Sequence, residues 1–75
     1  MELYQLKTFV VVAEEGHLTR ASVRLHTSQP SVSAHIKALE EELDTRLFIR
    51  TPKGMQLTEA GERLKDKALD VLRAA

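Results

Sequence analysis

The sequence predicts a small, mainly α domain with three closely joined helices, a two-stranded hairpin and a fourth helix. Three observations predict it. Apolar residues recur at helical spacing in four segments. A helix-start signal, Thr27-Ser28-Gln29-Pro30, follows the second segment so closely that only a tight turn fits between. The pattern becomes strand-like between Leu47 and Leu57, where Pro52 and Gly54 mark a turn.

Leu3, Leu6, Phe9/Val10 and Ala13 form the inner face of a first helix from about Leu3 to Glu14, thickened by Val11 and Val12. Gly16 follows and suits the left-handed position that ends a helix. A second helix runs from about Leu18 to His26, with Leu18, Ala21 and Leu25 on one face. His17 stands at its cap position, where Ser or Thr would accept better. Ser28 can cap the third helix. Pro30 in the first turn costs no hydrogen bond, because that amide has no partner within the helix. Val32, Ile36, Leu39 and Leu43 then make an inward stripe, with Gln29, Ser33 and Lys37 opposite.

Leu47-Phe48-Ile49-Arg50 and Met55-Gln56-Leu57 are β-prone and flank the turn Thr51-Pro52-Lys53-Gly54, a hairpin with a basic tip. Thr58 caps a fourth helix with Ala60, Leu64, Ala68, Val71 and Ala75 on one stripe, widened by Leu69 and Leu72. The whole is a winged helix-turn-helix over residues 1–58, with a separate helix beginning at 59–75. That helix has no stop signal, so the chain is expected to be the front piece of a longer protein.

Composition narrows the function. In 75 residues, 43% hydrophobic content supports one core and excludes a disordered tail. There is no cysteine, hence no disulfide framework, thiolate metal site or thiol nucleophile. The longest apolar run, Phe9 to Ala13, is far short of the roughly 20 residues of a membrane span, and the start lacks a signal-peptide pattern. No membrane partner and a cytoplasmic location are expected. Aromatics at 4% are too few for a platform that stacks single-stranded nucleic acid.

Eleven basic and eleven acidic residues cancel, yet they are segregated. No acid occurs from Gly16 to Leu39, where Arg20, Arg24, Lys37 and all three histidines lie. None occurs from Thr45 to Thr58, which carries Arg46, Arg50 and Lys53. A positive face can therefore coexist with zero net charge.

The residues resemble the LysR-type bacterial transcriptional regulators. The matching stretches include Leu3-x-x-Leu6-x-x-Phe9, Leu18-Thr19-Arg20-Ala21, Leu25-His26-Thr27-Ser28-Gln29-Pro30-Ser31-Val32-Ser33, Leu47-Phe48-x-Arg50-Thr51 and Leu57-Thr58-x-Ala60-Gly61. They cover nearly the whole chain in order. The resemblance implies a DNA-binding domain followed by a linker helix and then a ligand-sensing domain. Three positions depart from the family pattern: His17 for a usual Ser, Ser22 for Ala and Asp44 for Gly.

In this fold the start of the third helix enters the major groove, where base pairs show distinct donor–acceptor patterns. Gln29 is the best base reader, since its amide can pair bidentately with adenine. Ser33 and Lys37 lie further along the same face. Ser28 caps and can also meet phosphate. Pro30 and Ala34 offer apolar contact to a thymine methyl. In the wing, Arg50 and the Thr51 hydroxyl are expected on phosphate, and Lys53 on the backbone or in an AT-rich minor groove. Arg20, Arg24 and His35 are weaker candidates for backbone contacts. The acids Glu40, Glu41 and Glu42 end the helix, where they would leave the groove. Leu64, Ala68, Leu69, Val71 and Leu72 are expected at a dimer interface. A two-fold dimer would bind a pseudo-palindromic, AT-rich operator. The partners expected are double-stranded DNA and a second copy of the chain, up to a tetramer at full length. A small-molecule effector is expected only in the C-terminal domain.

Rival readings fare worse. Serines without a glycine elbow, and aspartates confined to positions beyond the motif, do not make a hydrolase. Histidines nine residues apart do not follow a zinc pattern. Neither catalysis nor a cofactor is expected. A protein-docking winged helix would call for an apolar outer face on the third helix, where Gln, Ser and Lys stand instead.

Overall fold

A computed structural model describes residues 1–74. The order is α1 (Leu3–Glu15), α2 (Leu18–Arg24), α3 (Gln29–Leu43), β1 (Phe48–Thr51), β2 (Gly54–Leu57) and α4 (Glu59–Ala74). This is the winged helix-turn-helix expected. Ala75, placed on the fourth-helix stripe, lies outside the described residues.

Helix α1 runs through the centre and packs on the other three helices. Phe9, Val12, Ala21, Val32 and Leu39 are fully buried around it. The ends of two expected stripes are not. Leu3 is 53% exposed and Leu43 37% exposed, because each sits in the terminal turn of its helix, away from the shared core. Thr8, buried in α1, donates its hydroxyl to the Tyr4 carbonyl oxygen at 2.9 Å.

Helix ends follow local chemistry. Gly16 ends α1 with φ 74°. Helix α2 stops at Arg24, two residues short of the expected His26. His26 takes φ 54°, and the amides of His26 and Thr27 return to the carbonyls of Val23 and Ser22. That is a Schellman closure without glycine. Asp44 ends α3 likewise at φ 50°, with Thr45 N–H on the Glu40 carbonyl. Ser22, buried in α2, donates its hydroxyl to the Thr19 carbonyl at 2.7 Å, the local bond expected of a helical serine.

The two strands pair antiparallel from Phe48 with Leu57 to Thr51 with Gly54, so Pro52 and Lys53 form the loop. Phe48 is buried and packs its ring on Phe9, centroids 5.3 Å apart. Met55 N–H donates to the Gly16 carbonyl at 2.7 Å, tying the wing to the α1–α2 junction. Gly54 has φ 118°, and a Cβ there would run into the Gly16 carbonyl oxygen. A side chain would thus break the tie.

Thr58 caps α4 as expected, accepting from Gly61 N–H at 3.0 Å. Helix α4 lies along α1. Ala68, expected at a dimer interface, is instead buried in the chain's own core, and Leu64, Leu69 and Leu72 pack partly against it. Val71 is 46% exposed.

Candidate nucleic-acid interface

Ser28 is in extended conformation just before α3, and its Oγ accepts from Ser31 N–H at 3.2 Å. Its own hydroxyl donates to Ser31 Oγ at 2.9 Å. The cap holds the first turn open to solvent: Ser28, Gln29 and Pro30 are all exposed. Gln29 Oε1 accepts from the Thr19 hydroxyl at 3.3 Å, which orients the side chain toward α2 and leaves its NH2 group available. Behind this face Val32, Ile36 and Leu39 are buried, so the helix is anchored from one side and presents the other.

A groove separates α3 from the wing. At one end it is lined by Gln29, Thr19, His17, Arg50 and Thr51. It continues along Ser33, Lys37, Glu40, Arg46 and again Arg50. Arg50, which pairs with Met55 in the hairpin register, therefore joins the two halves. The fold brings together Gln29, Ser33, Lys37, Arg50 and Thr51 of the expected site. Ser28, Pro30, Ala34 and Lys53 are exposed but do not line this groove; Lys53 stands at the wing tip.

Four side chains behave differently from expectation. The Thr51 hydroxyl donates to the Gly54 carbonyl at 3.1 Å and accepts from Lys53 N–H at 3.1 Å, so it locks the turn and its hydrogen is not available to phosphate. His35 turns inward: its Nδ1 is 2.9 Å from Thr8 Oγ1 and its ring meets Tyr4 edge-on at 4.9 Å. Arg24 is held by Glu14 at 2.8 Å and Glu15 at 3.2 Å, and these bonds, that to Glu14 first, raise its pKa above the ordinary value. Its charge is thereby matched within the protein, whereas Arg20 is exposed and forms no ion pair among the described residues.

Glu40 is the fourth. It does not trail out of the groove with Glu41 and Glu42. Its Oε2 accepts from Leu47 N–H at 2.7 Å and Phe48 N–H at 3.3 Å, with Arg46 Nε at 3.6 Å. One carboxylate thus satisfies the backbone where the chain leaves α3 for the wing, and its charge is offset by three donors. Nothing local in the sequence marks this role, since the partners lie seven and eight residues on.

Comparison with known proteins places this geometry. A family model described as "Bacterial regulatory helix-turn-helix protein, lysR family" matches residues 3–62. The chain is similar to the HTH-type transcriptional regulator BudR of Klebsiella aerogenes, 51% identical over 72 residues, 96% of this chain and 50% of that protein. It is 49% identical to YofA of Bacillus subtilis (strain 168) over 96% of this chain and 25% of that one. The chain spans half or less of the length of these regulators. Among solved structures, a CbnR DBD–DNA complex superimposes with TM-score 0.94 at 40% identity, over 99% of this chain and 85% of that one. A BenM DBD/catB site 1 DNA complex gives 0.95 at 36% identity, over 99% and 83%.

Proposed function

The chain belongs to the lysR family of bacterial regulatory helix-turn-helix proteins, and from that premise we propose that it binds a specific sequence in double-stranded DNA. One observation carries the proposal. The exposed flank of α3, from Gln29 to Lys37, contains no acid and lies beside Arg50 of the wing across a groove whose one carboxylate, Glu40, is already bonded. A helix so lined can enter a major groove without repelling phosphate, while a cation beside it meets the backbone. Similar domains have been solved in complex with DNA, which supports the reading that this chain binds DNA.

Gln29 reads a base edge through its free NH2 group, and Ser33 and Lys37 follow along the same flank. Pro30 and Ala34 give close apolar approach. Ser28 holds the helix start and faces phosphate, as do Arg50 and Lys53. Thr51 contributes by fixing the turn that aims Lys53. Residues 1–58 form the reading unit, and α4 both covers the core and begins a linker through which two copies pair. Val71 is the exposed part of that stripe, with Leu64, Leu69 and Leu72 half-covered at its side and Ala68 beneath. Two copies so joined bind a pseudo-palindromic, AT-rich operator, and a full-length protein assembles up to a tetramer. The chain acts in the cytoplasm as a binder and not as an enzyme, and an effector binds a separate C-terminal domain. Among the described residues no helix is long and apolar enough to cross a membrane.

Selection of duplexes from random DNA with the purified chain tests this. A defined consensus is expected, and Gln29→Ala should relax preference at one position by about 1–3 kcal/mol. Equal weakening on every sequence would refute base reading by Gln29, and no consensus at all would refute specific binding.

A further inference from the structure

Resting on the DNA-binding reading above, we propose that His17 is a further contact to the DNA backbone, made by its protonated ring. His17 joins α1 to α2 in extended conformation, φ −145° and ψ 134°, and its side chain forms no cap bond to α2. The ring lies instead against the wing. A Cβ built on Gly54 would fall 2.8 Å from His17 Cε1 and 2.9 Å from Nδ1, so the imidazole edge rests in the space that glycine leaves. The neighbouring bond from Met55 N–H to the Gly16 carbonyl, 2.7 Å, fixes the backbone on both sides of it. The ring is therefore held in place, half-buried, and contributes to the wall of the groove that Gln29 and Arg50 share.

What faces the ring decides what it can bind. Helix α2 contributes Thr19, α3 contributes Gln29, and the wing contributes Arg50, Thr51, Gly54 and Met55. Arg50 is the sole charged side chain in that lining, and no carboxylate is present. His17 has no hydrogen bond or ion pair with another side chain among the described residues. The other histidines differ: His35 is bonded to Thr8, and His26 forms the turn after α2. Helix α1, which ends just before the ring, contributes Glu14 and Glu15, and both carboxylates are engaged by Arg24. Within the groove the ring therefore has one like charge beside it and no carboxylate. A polyanion laid over α3 and the wing supplies the missing counter-charge to both His17 and Arg50.

A histidine changes charge near neutral pH. If the charged ring binds phosphate better than the neutral ring, DNA binding takes up a proton, and by linkage affinity rises as pH falls. The charged form also displaces one more counterion, so the salt dependence steepens at low pH.

The test uses the purified chain and a duplex taken from the random-DNA selection. From about pH 8 to about pH 5.5 at fixed salt, affinity should rise about five- to tenfold. His17→Gln should abolish most of that rise, whereas His26→Gln should retain it. In wild-type protein, the NMR titration midpoint of the His17 ring should move upward when the duplex is added, a readout that does not depend on any variant folding. A pH response unchanged in His17→Gln, or a His17 midpoint unmoved by DNA, would overturn the proposal. Failure of any duplex to emerge from the selection would instead overturn the DNA-binding reading, and this contact with it.

Discussion

Helices α3 and α4 are nearly the same length, 15 and 16 residues, and both are amphipathic, yet their outer faces differ in kind. From Gln29 to Lys37, α3 shows solvent Gln29, Pro30, Ala34 and Lys37, neutral or basic. Helix α4 shows Glu62, Arg63, Asp66, Lys67, Asp70 and Arg73, both signs interspersed. Two of its pairs form weak surface bridges, Arg63 with Glu59 at 3.0 Å and Arg73 with Asp70 at 3.8 Å. Their inner faces differ too. Helix α3 is pinned by the large side chains Val32, Ile36 and Leu39, while α4 buries only Gly61 and Ala68 completely. A mixed-charge face is what a helix in water carries. A face without acids, held rigidly from behind, is what a surface destined for a polyanion requires.

The largest expected effect would come from making α3 resemble α4. Ser33→Glu puts an acid in the groove and should cost several kcal/mol of DNA affinity, about a hundredfold or more, with thermal stability little changed. Lys67→Glu on α4 should leave duplex binding nearly intact. Similar losses for both would erase the distinction between the two faces.

The inner-face difference is tested by Gly61→Ala. A methyl group there would meet the Leu47 carbonyl oxygen and come within 2.9 Å of Leu57 Cδ2. A loss of about 3 kcal/mol is expected in urea unfolding, although alanine is the better helix former. A gain in stability would show that α4 is not pressed on the wing.

Ser28→Ala removes the α3 cap and should cost about 1 kcal/mol of stability. An unchanged unfolding midpoint would mean that Ser31 or water replaces it. The smallest effect is that of Lys53→Ala, which should leave stability alone and reduce the slope of log affinity against log salt by about one unit. An unaltered slope would take the wing tip off the phosphate backbone.

Local patterns explain what was legible. The stripe Val32, Ile36, Leu39 and the start signal Ser28 with Pro30 fall within one helix, so spacing and capping chemistry suffice to place them. The turn at Pro52–Lys53 and the cap at Thr58 are equally local. The misplaced residues have partners far along the chain: Thr8 for His35 is 27 residues away, Glu15 for Arg24 is nine, and Leu47 for Glu40 is seven. Thr51 was misread over a shorter distance, because a turn threonine can face either solvent or its own loop. Some signal for the end of α2 existed in His26, since histidine tolerates positive φ better than most residues.

The sequence alone determined the element order, the anchoring of α3 and the exclusion of acids from its outer flank, because these follow from periodicity, caps and charge order within short segments. Only the tertiary structure decided which polar groups remain free for a ligand. It committed Arg24, His35, Glu40 and Thr51 to the protein itself and left Gln29, His17 and Arg50 along one groove. A side chain's availability depends on what folding brings beside it, and for most of these residues that neighbour comes from a different element of the chain.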